Sequence, residues 1–434
     1  MKACAGCHRL FPDDAAFCPA DGGKLARYAE VPAQPAGDDR CLGTTLVDRY
    51  EVRRIVADGG MGRVYEARDA RTDRRVALKV LHADVARDAV AVERFKREFD
   101  ISRELPHEHI VDVLDFQSFG PQLFLLAMEF LDGEELRMLL KRETTVSPAR
   151  LLRIVSQVAI GLDEAHRRQI VHRDLKPDNI FLCGQPDGDL VKILDFGSVR
   201  INKDRAKSKL TSLGTTIGSP FYMSPEQAQG SEDLDQRADV FALGAIVYEC
   251  LSGTVPFSGA SGPAILLAIL TKNPPPVTTQ ARADLQLPPA LDDVLDDALA
   301  KRPETRTATV GALADGMGKA FGLPGSHHDW AKMPISALEA AIAEARASGA
   351  AGAVAVADPF ATDPFAAGAA APASMGAALP GPAPRAAASA MDAAFDDAGS
   401  AGVAAAQPKS MAPIVIGAVV ALAAIGVGLF FVFK

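Results

Sequence analysis

Val171-His172-Arg173-Asp174-Leu175-Lys176-Pro177-Asp178-Asn179-Ile180-Phe181 is followed, after a short interval, by Leu194-Asp195-Phe196-Gly197. The two runs bring an acid, a lysine, an amide and a second acid close together, with no room for a domain boundary between them. An aspartate can take a hydroxyl proton and a lysine can neutralise a phosphoryl oxygen. An asparagine with a second aspartate offers hard oxygen donors for magnesium. Together these are the requirements of phosphoryl transfer. A polar turn between strands would need none of these residue types in company.

The same runs closely resemble the catalytic and metal-binding loops of bacterial eukaryotic-like (Hanks-type) Ser/Thr protein kinases. The resemblance implies an α+β, bilobal fold, with a β-rich N-lobe and a mainly helical C-lobe, over residues 48–323. It also implies ATP and magnesium in the cleft between the lobes and a protein Ser/Thr hydroxyl as acceptor. Asp174 is then the residue that positions the hydroxyl and takes its proton, and Lys176 steadies the γ-phosphate. Asn179 and Asp195 hold magnesium. Lys176 in the Asp-Leu-Lys-Pro-Asp-Asn form resembles Ser/Thr rather than Tyr kinases.

Working upstream, Pro148 to Arg168 carries Leu151, Leu152, Val155, Val158, Ala159, Leu162 and Ala165 at three- and four-residue steps, an amphipathic helix leading into the opening stretch. Leu123 to Met128 is an unbroken apolar run and reads as a buried strand. By resemblance it ends at the hinge, where backbone groups of Glu129 and Leu131 bind the adenine edge and Met128 guards the pocket behind. Ala89 to Leu105 shifts to a helical period, and the resemblance makes Glu98, ahead of Glu93 and Glu104, the ion-pair partner of Lys79. Lys79 sits in the strand-like run Val76 to Val80, where the family grips the α- and β-phosphates.

The turn Asp58-Gly59-Gly60-Met61-Gly62 lets backbone N–H groups close over phosphates. Ala57 stands where the family has its first glycine, while Gly59 and Gly62 are kept. Ala57, Gly59, Gly62 and Val64 complete the nucleotide-binding set that the resemblance implies.

Downstream, residues 198 to 217 are polar and include Thr211, Ser212, Thr215 and Thr216. A phosphate on any of these could order the loop by bonding the guanidinium of Arg173. Gly218 to Glu226 matches the segment that closes the activation loop, with Ser219 and Ser224 as small departures. The family pairs a residue matching Arg306 with one matching Glu226, and braces the catalytic loop backbone with one matching Asp239. A pseudokinase scaffold is the alternative reading. It would lack Lys79, Asp174 or Asp195, and all three are present; only Ala57 leans its way.

The 434-residue chain is too long for one core, and its net charge of -9 excludes nucleic acid as a general partner. Six cysteines at 4, 7, 18, 41, 183 and 250 form no disulfide framework. Residues 1–25 hold Cys4, Cys7 and Cys18 in two knuckles that resemble a small zinc ribbon, its fourth ligand Asp21 or His8. Residues 26–47 read as a linker, with Cys41 an ordinary linker thiol. Residues 324–410, rich in alanine, glycine and proline, read as a flexible linker broken by one helix near 336 to 347, which a capping box at Ser336 and Glu339 would open.

Met411 to Phe433 has no charged residue and, at about 1.5 Å per residue, spans about 33 Å as a helix, enough for a bilayer core. A single-pass protein of the cytoplasmic membrane is expected, its catalytic domain in the cytoplasm, with no secretory signal peptide at its N-terminus. Gly417 with Ala421 and Ala424 with Gly428 give small-residue spacing through which two such helices could pair as a homodimer.

Overall fold

In the computed structural model the residues described are 2–4, 10–11, 15–18, 22–27, 39–119, 123–196, 220–231 and 233–349. At the N-terminus β1 (Lys2–Cys4) lies between β2 (Leu10–Phe11) and β3 (Leu25–Arg27) in an antiparallel sheet. Cys4 pairs in register with Leu25, and Cys18 is buried in a tight turn whose carbonyl accepts the Gly22 N–H. Cys7, His8 and Asp21 lie outside the described residues, as does the 411–433 segment.

Alternation builds the next layer. β4 (Thr45–Leu46), β5 (Tyr50–Asp58), β6 (Gly62–Asp69) and β7 (Arg74–Leu81) precede the helix α1 (Ala89–Glu104), and β8 (Val113–Phe119) and β9 (Leu123–Glu129) follow it. The six strands form one antiparallel sheet in the order β4-β5-β6-β7-β9-β8. Tyr50, Val52, Tyr65, Ala67, Val76, Leu78, Leu125 and Ala127 fill one core of this lobe. Phe95 of α1 packs with Leu81, Val113 and Leu126 in another. Asp88 caps α1 by accepting the Val90 N–H. Ala91, Phe95, Glu98 and Ser102 face inward at helical spacing, so α1 buries a carboxylate that must find a partner.

Two boundaries differ from the sequence reading. The residues just before Tyr50 are not linker: Leu42 is buried in the sheet's core, half-buried Cys41 packs beside it, and β4 extends the sheet. A two-residue strand and one apolar side chain are too short to show a period. At the other end, the fold runs on well past Leu323.

β10 (Gly133–Glu135) leads from the hinge into α2 (Leu136–Glu143) and α3 (Pro148–Arg167). β11 (Ile180–Gln185) and β12 (Gly188–Ile193) flank the base of the cleft and pair antiparallel beside β10. α4 (Pro225–Ala228), α5 (Arg237–Ser252), α6 (Gly262–Thr271), α7 (Val277–Gln280), α8 (Ala290–Ala298) and α9 (Val310–Ala320) complete the helical lobe. The seven apolar positions expected to face inward on α3 are all buried, around a core that α5 crosses buried on every side.

Beyond it come α10 (His327–Trp330) and α11 (Ile335–Ala347). Trp330, Leu338 and Ile342 belong to the same core as α3 and α9. The helix near 336–347 is therefore present but docked, and it starts after Pro334 with no Ser336 cap. Gly318 makes the docking close, since a Cβ there would lie 2.0 Å from the Trp330 ring. Trp330→Ala should cost about 3–5 kcal/mol of stability in urea denaturation; a loss under about 1 kcal/mol would mean that α10 is not part of the folding unit.

Candidate active site

The opening stretch lies between α3 and β11, suspended from a buried carboxylate. Asp239, on the first turn of α5, is fully buried. It accepts the backbone N–H of His172 at 2.8 Å, that of Arg173 at 2.9 Å, and the Nε2–H of His166 at 2.8 Å. Burial disfavours its charge, but His166 and the Arg173 N–H outweigh burial and hold Asp239 below the usual carboxylate range. Arg173 sits at φ 68°, a left-handed conformation that costs an ordinary residue energy, and the Asp239 bonds hold the loop in it.

From that anchor the loop folds on itself. His172 donates from Nε2 to the Leu194 carbonyl at 2.9 Å, accepts the Asp174 N–H at Nδ1, and packs 4.7 Å from the buried Phe196 ring. The N–H of Leu194 donates to the Asn179 carbonyl. This backbone bond brings Asn179 and Asp195 together, although fifteen residues separate them. Asn179 Nδ2 donates to the Asp174 carbonyl at 2.8 Å, which orients the amide and leaves its oxygen as a hard donor. Lys176 Nζ reaches Asp174 Oδ2 at 2.8 Å.

Opposite this loop, β7 places Lys79 across from Val64 of β6 and Leu126 of β9. Its Nζ lies 3.1 Å from Glu98 Oε2 and 2.7 Å from Asp195 Oδ1. Burial works against the lysine's charge, yet the two carboxylates raise its pKa above the ordinary value. For Asp195 burial opposes ionisation and Lys79 overrides it, so its pKa falls; for Glu98 burial prevails and its pKa rises. The rival Glu93 faces solvent beside Arg97.

The glycine turn closes on a Gly59 N–H to Gly62 carbonyl bond of 3.1 Å. A Cβ on Gly62 would lie 2.3 Å from the Val80 carbonyl oxygen, so strand packing against β7 is enough to demand glycine there. Ala57 is an ordinary strand residue opposite Val64. The Glu129 N–H donates to the Asp112 carbonyl, and its side chain accepts from Lys192 at 2.7 Å.

Below the cleft, the Arg306 guanidinium is fully enclosed. It meets both Glu226 oxygens at 2.8 and 3.0 Å and the carbonyls of Arg237 and Ala300. Gln227 ties this segment to the catalytic loop through the Arg173 carbonyl at 2.6 Å. Gly197, Thr211, Ser212, Thr215 and Thr216 lie outside the described residues.

Sequence reasoning missed two clusters. Arg75 lies 3.8 Å over the Phe130 ring and 3.0 Å from both Glu66 and Asp132, clamping the chain just beyond β9 to the sheet. Arg137 joins Asp178, Glu249 and Tyr222 beneath the catalytic loop. Neither has a local spacing; a charged residue inside an apolar period, such as Glu66 or Glu249, was the available signal.

The protein kinase domain family matches residues 50–316. Serine/threonine-protein kinase pkn3 of Myxococcus xanthus is 39% identical over 277 residues, covering 63% of this chain and 50% of that protein. Serine/threonine-protein kinase PknD of Mycobacterium tuberculosis is 39% identical over 265 residues, covering 61% and 38%. The matched regions span half or less of these relatives' lengths. The crystal structure of the M. tuberculosis PknI kinase domain superposes with a TM-score of 0.51 at 30% identity, covering 65% of this chain and 98% of that one.

Because Asp239 satisfies three buried donors, Asp239→Ala should cost about 3 kcal/mol or more in urea denaturation and speed amide exchange at His172 and Arg173. Unchanged exchange at those two amides would disprove the suspension.

Proposed function

The chain belongs to the protein kinase family, and from that membership we infer that it transfers the γ-phosphate of ATP to Ser or Thr hydroxyls of proteins. One observation carries the reading: Lys79 is ion-paired to Glu98 and Asp195 at once, across the two lobes. A scaffold without transfer has no need to hold three coupled charges in a cleft.

In this reading Asp174 orients the acceptor hydroxyl and takes its proton at a carboxylate oxygen. Lys176, already beside that carboxylate, places its ammonium where charge on the transferred group can be met. Lys79, aligned by Glu98, grips the α- and β-phosphates, and the backbone about Gly59 and Gly62 covers them. Ala57 and Val64 line the roof, and the backbone of Glu129 and Leu131 receives the adenine edge. The donor set suits magnesium: a carboxylate at Asp195 and an amide oxygen at Asn179 are both hard ligands. When bound there, the ion would neutralise phosphate charge. Phosphorylation among Thr211, Ser212, Thr215 and Thr216, met by Arg173, would order the activation loop.

Incubation with ATP-Mg and a generic acceptor protein should yield phosphoserine or phosphothreonine, and Asp174→Asn should lower the rate by about a hundredfold or more. Undiminished transfer by that variant would remove Asp174 from its role.

On sequence pattern alone we extend the reading to both ends: zinc on Cys4, Cys7 and Cys18 with Asp21 or His8, and a single-pass anchor over 411–433 in the cytoplasmic membrane that could pair two copies. Among the described residues no helix is long and apolar enough to cross a membrane. Alkaline extraction should leave the full chain in the membrane pellet, and the detergent-purified protein should carry about one zinc. Release into the supernatant, or absence of zinc, would refute the corresponding end.

A further inference from the structure

The tip of the glycine turn has little of its own to hold it. Gly60 would meet nothing within 4 Å if it carried a Cβ, and Met61 is exposed. What positions the tip is its stalk, the β5–β6 ladder whose last pair is Asp58 with Arg63. Arg63 Nε donates to Asp58 Oδ2 at 2.9 Å, and the other oxygen of Asp58 lies 3.1 Å from His82 Nε2. His82 also contacts the Gly59 carbonyl through that nitrogen and the Met61 carbonyl through its N–H.

The far side of Arg63 is held from outside the family-matched region. Arg63 and Tyr65 point to the same face of β6, two residues apart, and one carboxylate oxygen of Asp39 accepts from both: Arg63 Nη1, and the Tyr65 hydroxyl at 2.9 Å. Its other oxygen accepts the N–H groups of Cys41 at 2.8 Å and Leu42 at 3.2 Å, which tie it to the segment that buries Leu42. Burial opposes the Asp39 charge, but these four donors outweigh it and lower its pKa, so the carboxylate stays ionised opposite Arg63. The chain thus runs Asp39, Arg63, Asp58, His82, Gly59, from the start of the described stretch 39–119 to the turn above the cleft.

We propose that Asp39 is a positioning residue for the nucleotide: through Arg63 and Asp58 it sets the glycine turn, and so couples the segment ahead of the kinase fold to nucleotide affinity. The proposal rests on the reading of the cleft as an ATP site. Asp39→Asn keeps an oxygen for Cys41 and Leu42 while removing the charge that Arg63 meets.

In the full-length protein this variant should weaken ATP-Mg binding, and raise KM for ATP, about fivefold, as coupling in a charged network of this kind allows. Its kcat at saturating ATP and its unfolding midpoint should stay put. In an Arg63→Gln background the same change should add nothing. Unaltered affinity, an equal loss once Arg63 is gone, or a loss that tracks a lowered unfolding midpoint would each overturn the latch. Should the unaltered protein bind no ATP-Mg, the ATP reading itself falls and the latch with it. Normal binding with an indifferent Asp39 sinks the latch alone.

Discussion

A carboxylate with no exposure to water is costly unless its oxygens are hydrogen-bonded, and Asp239 satisfies both of them by drawing in the backbone on either side of His172. The core helix α5 supplies the rigidity, His166 the counterpart, and the strained Arg173 conformation is the result. The loop cannot drift without leaving buried N–H groups unpaired. Asp174 therefore inherits its position from the hydrophobic core, through one side chain that does no chemistry.

The opposite wall of the cleft is built on the reverse logic. Glu98 is buried on a helix face it shares with Ala91, Phe95 and Ile101, and Lys79 lies on a strand whose neighbours are mostly Val and Leu. Each charge is tolerable because the other is near, and Asp195 makes the balance uneven, with two acids around one base. Burial raises the pKa of Glu98, while Lys79 overrides burial at Asp195 and lowers it. One lysine thus meets two acids whose surroundings push their pKa values in opposite directions.

Much of this was legible in order along the chain, because the residues that carry the chemistry sit at short fixed spacings and the supporting helices α1 and α3 keep a 3.6 period. The pairs Lys79 with Glu98, Glu226 with Arg306, and Asp239 with the loop were all expected and all form. What escaped was of two kinds. Arg75 on Phe130 and Arg137 on Tyr222 connect elements far apart in sequence, and nothing local marks them. The edges of the fold escaped because short segments bury few side chains: Leu42 before the sheet and Trp330 on the four-residue α10 stand as isolated apolar residues, and the helix expected near 336–347 carried no local sign that Leu338 and Ile342 would dock.

The family match ends at residue 316, in the middle of α9, yet the packed core continues to Ile342 of α11. Kinship and cohesion are different boundaries in this chain. A fragment ended where the kinship stops would leave the groove along α3 and what remains of α9 stripped of its indole and aliphatic cover, an oily surface open to other chains. Among the described residues, α10 and α11 cover that apolar surface from outside the part of the sequence that matches the kinase family.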